Sequence, residues 1–310
     1  MLYAQKGKSV KIESVSRKGN SLYLSSEAGI IRLMPVSDKT VRVSFRPDGD
    51  FETAQKPGID RLPEYENWDA ARKKDMICLR TPELLVKVNA ETSAIRFYDA
   101  DGKLLLAENS REPRIMEEFM TFKLSAPDAE VEEVSTADGK KKIVRKAEKL
   151  PSGTSFHTWI YFDWQENEEL YGLGQHEEGF GSLRGQTVYV HQGNRKIAVP
   201  FLVSTLGYGL LIDTYSPLIF NDTPHGSYIY SEAVPEIDYY FMNGGSMGHS
   251  VKAYRQLTGK AAMLPKWAFG YIQSKERYEN AEELLSTAME YRSRGIGLDC
   301  IVLDWMYWDV

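Results

Sequence analysis

The chain has 310 residues, 42% apolar and 26% charged, a composition that excludes intrinsic disorder. Its 38 Lys plus Arg against 44 Asp plus Glu give a formal charge of −6, without the basic surplus expected of a nucleic-acid binder. No apolar run approaches the roughly 20 residues of a membrane-spanning helix. The opening Met1-Leu2-Tyr3-Ala4-Gln5-Lys6 lacks the apolar core of a signal peptide. Cys78 and Cys300 are too few and too far apart for a disulfide framework or a cysteine-rich zinc site. These features predict a reducing, cytoplasmic location, with neither nucleic acid nor membrane as partner.

From the N-terminus to about residue 260, short alternating or apolar runs recur between turn signals. Ile30 to Met34, Thr40 to Phe45 and Leu84 to Val88 are examples. Asp101-Gly102 and Asp138-Gly139 each separate two such runs, and Asp-Gly suits the positive φ of a tight hairpin turn. Strands of this length and spacing predict a β-sandwich over residues 1–262. Lys140-Lys141-Lys142, with Arg145, Lys146 and Lys149, follows the second turn and reads as a solvated hairpin edge, where lysines discourage edge pairing.

Between residues 170 and 223 the chain is glycine-dense, in Tyr171-Gly172-Leu173-Gly174 and Gly179-Phe180-Gly181. The spacing does not fit a dinucleotide fingerprint, and a strand rather than a helix follows, so backbone turns at a sheet rim are expected. Glu168-Glu169 and Glu177-Glu178 are expected to be surface charge, because neighbours on a strand point to opposite faces and cannot converge on one bond. His157, His176, His191, His225 and His249 show no metal-ligand spacing, so neither a metal nor a cofactor is predicted. Asn221-Asp222-Thr223 matches a glycosylation pattern that, without a secretion signal, is expected to be fortuitous. The 18 Tyr, 12 Phe and 6 Trp suit a carbohydrate-handling protein and a β-rich core equally.

The last 50 residues change class. Trp267 to Gln273 reads as a buried strand. Asn280 with Glu283 forms a helix-start box, and Ala281, Leu284, Leu285 and Ala288 make one apolar stripe. Gly295 stops that helix, and Leu298 to Asp304 is the next strand. One βαβ unit cannot bury both faces of a two-stranded parallel sheet. Residues 263–310 are therefore expected to be the front of a larger (β/α)8 barrel or to rely on a missing partner. Leu298, Cys300, Val302 and Asp304 share one strand face, which puts Asp304 at the carboxyl end of a barrel strand, where active sites form. A loop-capping aspartate followed by a structural aromatic cluster (Trp305, Tyr307, Trp308) is the alternative reading.

Leu264 to Tyr278 and the stretch Tyr291 to Trp308, with its Asp304-Trp305-Met306-Tyr307-Trp308, resemble the opening of the catalytic barrel in glycoside hydrolase family 31. Tyr171-Gly172-Leu173-Gly174-Gln175 and the Gly207-Tyr208-Gly209 strand resemble the N-terminal sandwich of the same family. The resemblance implies a mainly β chain: a galactose-mutarotase-like β-sandwich, then the first βαβ unit of an incomplete (β/α)8 barrel. It implies hydrolysis of terminal non-reducing α-linked sugars, an α-xyloside or α-glucoside, by a retaining double displacement in the full-length protein. An oligosaccharide is then the substrate, no cofactor is needed, and a homo-oligomer is compatible with the family. The resemblance puts the nucleophile and the acid/base beyond Val310, so no catalytic residue is assigned and the 310-residue chain alone is expected to be inactive. It makes Asp304 a ligand of sugar hydroxyls, Trp305 a flanking wall, and Asn194 the sugar contact of a sandwich loop, His191 to Arg195. A non-catalytic carbohydrate-binding or scaffold module is the competing reading.

Overall fold

The computed structural model describes residues 8–51, 58–60, 62–125, 130–136, 139–145, 148–179 and 181–304. The chain divides into two compact units, Met1–Gly259 and Lys260–Val310.

In the first unit, period-two alternation of apolar side chains sets strand after strand. They run β1 Ser14–Lys18, β2 Ser21–Ser26, β3 Gly29–Pro35, β4 Thr40–Arg46, β5 Asp69–Lys73, β6 Met76–Arg80, β7 Leu84–Asn89, β8 Ile95–Asp99, β9 Leu104–Glu108 and β10 Arg114–Ser125. They continue as β11 Glu130–Thr136, β12 Gly139–Arg145, β13 Glu148–Asp163, β14 Leu170–Gln175, β15 Thr187–Val190, β16 Ile197–Ser204, β17 Tyr208–Ile212, β18 Leu218–Thr223, β19 Gly226–Val234 and β20 Ile237–Asn243. One antiparallel sheet has the order β1-β2-β3-β4-β20-β17-β16-β14. The other has the order β15-β18-β19-β13-β9-β8-β7-β6-β5, with β10 also paired to β13. The predicted β-sandwich is this pair of sheets. The Asp101-Gly102 turn joins β8 to β9 with Gly102 at φ +88°, as Asp-Gly chemistry requires. β11 and β12 form the second hairpin, with their lysines exposed; Asp138 itself lies outside the described residues.

The core lies between the sheets, where Phe97 of β8 stacks on Phe241 of β20 with ring centroids 4.1 Å apart. β20 is buried along its whole length because both its faces are covered. Tyr239 and Phe241 face the opposing sheet, while Tyr240 and Met242 face the helix α1, Met247–Thr258. Reading all of residues 1–262 as β missed this helix. Ser246 caps it by accepting the His249 N–H, and Ser250, Ala253 and Leu257 recur at helical spacing on its buried side. Phe201 stacks on Tyr254 at 4.4 Å to hold it against the sheet.

Buried charge ties the two sheets together. Glu108 of β9 accepts from Ile95 N–H (2.9 Å), from the Tyr239 hydroxyl of β20 (2.8 Å) and from the Arg114 guanidinium, which also donates to the Ser93 carbonyl (2.7 Å). Within the first sheet, Arg42 grips Asp238 with two parallel bonds of 2.9 and 2.5 Å. Glu168 corrects the sequence reading. It is buried, not surface charge, and accepts from Ser204 Oγ (2.6 Å), Gln165 N–H (2.8 Å) and the Tyr208 hydroxyl. Buried carboxylates persist only with such donors, and here two of the three, Ser204 and Tyr208, come from strands distant in sequence. Glu169, Glu177 and Glu178 are exposed, as expected.

The glycosylation-like Asn221 is buried. Its amide donates to the Gly226 carbonyl at 2.6 Å and its oxygen accepts from Thr187 Oγ1 at 2.7 Å, so the side chain is committed to the sheet. Its neighbour Asp222 accepts from Ser227 Oγ (2.6 Å), Gly185 N–H (3.0 Å) and Arg184 Nε (2.8 Å). Burial works against the charge, but these donors outweigh it and hold the carboxyl below its ordinary value of 3.8. A depressed pKa contributes stability that is present above the unfolded value and lost as pH falls through the folded one. Asp222→Asn is therefore expected to flatten the loss of stability below about pH 4 in denaturant titrations. An unchanged acid limb would show that Asp222 does not carry it.

Glycines 172 and 174 lie inside β14, not at a rim turn. Gly174 has φ +100°, and a Cβ there would stand 1.9 Å from the Ile197 carbonyl oxygen of the neighbouring β16. Gly174→Ala is expected to destabilise the sandwich by about 3 kcal/mol, since strain and clash add. At Gly179 (φ +70°, nothing within 4 Å) the same substitution costs only about 1 kcal/mol. Equal urea midpoints for the two variants would contradict this.

Candidate active site

In the second unit the strands β21 Ile272–Gln273 and β22 Cys300–Ile301 pair in parallel, joined through α2, Ala281–Ser293. Asn280 Oδ1 accepts the Glu283 N–H at 2.8 Å, as the helix-start motif predicts. The return bond lands one residue earlier than in a capping box, on the Glu279 N–H (2.7 Å). Glu282 and Glu283 in the first turn and Arg292 in the last complement the helix dipole. Gly295 ends the segment at φ +68°.

The predicted strands are shorter than expected. Residues 266–269 form a 3-10 turn: Ala268 N–H bonds the Pro265 carbonyl and Gly270 N–H that of Trp267, both at 3.0 Å. Pro265 presets that turn, and Trp267 and Phe269 are 52% and 76% exposed instead of buried. Leu298 to Asp304 contributes only Cys300 and Ile301 to the ladder, because each strand has a single partner among the described residues. No residue of α2 is buried, so its apolar stripe, with Leu285 60% exposed, has nothing packed tightly over it.

Register levels the carboxyl ends of the two strands. Ile272 faces Cys300, Gln273 faces Ile301, and Val302 N–H donates to the Gln273 carbonyl at 2.9 Å. Ser274 follows level with Val302, and its Oγ reaches past that rung to donate to Asp304 Oδ2 at 3.3 Å. Asp304 is partly buried. Beneath them, Gln273 Oε1 accepts from the hydroxyls of Tyr271 (2.7 Å) and Tyr291 (2.6 Å), which ties the strand end to α2. A carboxylate beside a hydroxyl at a strand end can accept hydrogen bonds from a vicinal diol, the recurring group of sugars. Sequence reasoning passed over Ser274. No local motif marks it, because the register sets Ser274 level with Val302, two residues short of Asp304. Trp305 lies outside the described residues.

Asn194 belongs to the first unit, at the exposed tip of the loop between β15 and β16. That loop is closed by a bridge between Gly193 and Lys196, and Gln192 Oε1 accepts the Ala198 N–H at 2.9 Å. Two ion pairs brace it, Arg195 to Glu177 at 2.9 Å and Lys196 to Glu178 at 2.6 Å. The hydrogen bond from Lys196 holds the Glu178 carboxyl below its ordinary range. The surface glutamates of the sequence reading therefore brace a loop. At the loop's root a cavity of about 390 Å³ is lined by His191, Gln192, Asp213, Thr214, Tyr215 and Tyr254, among others. Its size suits a small ligand.

Comparisons with known proteins bear on both units. A family model for the glycosyl hydrolase 31 N-terminal galactose mutarotase-like domain matches residues 30–221, and one for the glycosyl hydrolases family 31 TIM-barrel domain matches residues 261–310. An alpha-xylosidase of Saccharolobus solfataricus is 44% identical over 156 residues, covering 47% of this chain and 21% of the relative. An uncharacterized family 31 glucosidase of Pseudescherichia vulneris is 27% identical over 292 residues, 93% of this chain and 52% of the relative. The crystal structure of a GH31 alpha-xylosidase from Xanthomonas citri superposes with a TM-score of 0.72 at 21% identity, over 94% of this chain and 45% of that one. That likeness concerns the fold. The chain spans from about a fifth to about half the length of these relatives.

Proposed function

The chain belongs to glycoside hydrolase family 31, and from that premise we propose that it forms the amino-terminal portion of a retaining α-glycosidase. The substrate class is a terminal non-reducing α-xyloside or α-glucoside. The observation that carries this reading is the pairing of Asp304 with Ser274 at the level carboxyl ends of two parallel strands, in a segment matched by the family's barrel.

In this reading the ionised Asp304 accepts hydrogen bonds from two adjacent sugar hydroxyls. Charge-assisted bonds of this kind are roughly twice as strong as neutral ones. Ser274 donates to one carboxylate oxygen and so helps to orient the group. Trp305 supplies an apolar wall, and Asn194 adds a contact from the sandwich loop. The nucleophile and the acid/base are carboxylates of later barrel strands, about 5–5.5 Å apart, as a covalent glycosyl intermediate requires. The sandwich and the first βα unit then bind and orient substrate but do not break the bond.

The test is an assay of the protein with its complete barrel on aryl α-xyloside and aryl α-glucoside, following the product anomer by NMR. Hydrolysis releasing the α-anomer first is the expected result. The 310-residue chain alone is expected to leave both substrates intact. Sugar binding without hydrolysis by the complete protein would instead make this a carbohydrate-binding module.

A further inference from the structure

We propose that the outer face of the second sheet binds an extended oligosaccharide, at a surface separate from Asp304. Register aligns one side chain from each of five neighbouring strands. Tyr189 of β15 stands opposite Ile219 of β18, Ile219 opposite Tyr230 of β19, Tyr230 opposite Trp159 of β13, and Trp159 opposite Ile115 of β10. Directly opposite side chains share a face. The residues that alternate with them, Val188, Phe220, Ile229 and Ile160, lie in the core, so the five form one row on the side away from it. At ~4.8 Å per strand spacing the row is about 19 Å long. Tyr161 and Tyr228 stand opposite each other in the next row, with ring centroids 5.7 Å apart. Tyr189 is 58% exposed, Trp159 and Tyr230 are partly exposed, and Ile115 is buried and closes one end.

The side chains of this face select its occupant. Pyranose rings pack their C–H faces on aromatic rings, and their hydroxyls donate to carboxylates. Glu117 and Glu232 supply those acceptors, each two residues along its strand from the row. The Tyr230 hydroxyl donates to Glu232 Oε2 at 2.9 Å and lies 3.0 Å from His157 Nδ1, which fixes its ring beside Trp159, centroids 4.9 Å apart. These rows hold no Lys or Arg, so a polyanion is repelled. The open apolar area is on the order of 400 Å², half of the about 800 Å² that a standard protein interface takes from each partner. A sugar chain lying in single file needs less. The row ends at Tyr189 on β15, five residues before Asn194, so a chain laid along it leads towards that loop. The proposed glycosidase reading enters only in the choice of sugar.

The experiment titrates maltoheptaose and a xyloglucan heptasaccharide, which carry α-glucosyl and α-xylosyl units, into the 310-residue chain by calorimetry. At least one is expected to bind with a Kd of about 1 mM or tighter. Glucose and xylose, too short to span the row, are expected to bind at least about tenfold more weakly. Trp159→Ala and Tyr189→Ala are each expected to weaken binding by about tenfold, with the thermal melt as control. Tyr189 stands at the surface, so its variant decides the matter where Trp159→Ala fails to fold. Asp304→Ala is expected to bind as wild type does, and the complete protein carrying Asp304→Ala, in which turnover is slow, is expected to show the same affinity. No binding by either protein, or wild-type affinity in folded Trp159→Ala or in Tyr189→Ala, would overturn the proposal. Loss of binding in Asp304→Ala would also overturn it, and would leave the glycosidase reading standing with the sugar at the strand ends. Binding that needs Trp159 and Tyr189 in a complete protein that hydrolyses nothing would support this surface and remove the glycosidase reading.

Discussion

Asp304→Ala is expected to lower turnover of an aryl α-glycoside by the complete enzyme by about a hundredfold or more, with the thermal melt nearly unchanged. Two charge-assisted hydrogen bonds to a sugar are each worth about 1.5–3 kcal/mol, and each 1.4 kcal/mol lost from the transition state is tenfold in rate. Folding is expected to survive because Asp304 lies at a strand end, beyond the two ladder pairs, and is only partly buried. Ser274→Ala is expected to cost less, about tenfold, because it removes a neutral donor that orients the carboxylate and no charge. Parallel assays of kcat and KM, with the melt as control, test both. Wild-type turnover in folded Asp304→Ala would remove this residue from the site.

The second large effect is on stability. Arg114→Leu is expected to destabilise the sandwich by about 3–5 kcal/mol at pH 7, the usual cost of leaving one partner of a buried ion pair uncompensated. Burial pushes the Glu108 carboxyl up, while the Arg114 charge and hydrogen bond, the Tyr239 hydroxyl and the Ile95 N–H pull it back. Without Arg114 the upward push wins by more. An acid whose folded pKa lies above its unfolded value loses stability as pH rises through that window. The deficit of Arg114→Leu should therefore be smaller near pH 4.5 than at pH 7. Glu108→Gln combined with Arg114→Met should recover part of the loss, since neither buried charge remains. Urea titrations at the two pH values decide it. A deficit below about 1 kcal/mol at pH 7 would mean that the pair does not hold the sheets together.

These two residues mark what local sequence could carry. The strands were legible where one face is apolar. Ile30 to Met34, Thr40 to Phe45 and Leu84 to Val88 each fall within an observed strand, because period-two alternation acts along the chain itself. Asp101-Gly102 and Asn280 were legible for the same reason, since a turn and a helix cap are decided within four residues. Motifs at Tyr171 to Gln175 and Leu264 to Tyr278 carried the family.

Glu168 and Glu108 were not legible as core residues. Their donors lie up to 131 residues away in sequence, at Tyr239 for Glu108, and a carboxylate is buried only when such donors converge. The exposed Trp267 and Phe269 show the converse, for Pro265 turns an apolar run into a 3-10 turn. The helix α1 hid within a β-rich stretch because its apolar face is narrow, Ala253 and Leu257 with Tyr254 beside them.

The sequence by itself determined the fold class, the hairpins and the family, all consequences of side-chain period or short motif. Only the tertiary structure decided that Ser274 donates to Asp304, that Glu177 and Glu178 brace the Asn194 loop, and that Tyr230 lines up with Trp159. Each of these depends on segments that meet only in the folded chain, and no local pattern encodes that meeting.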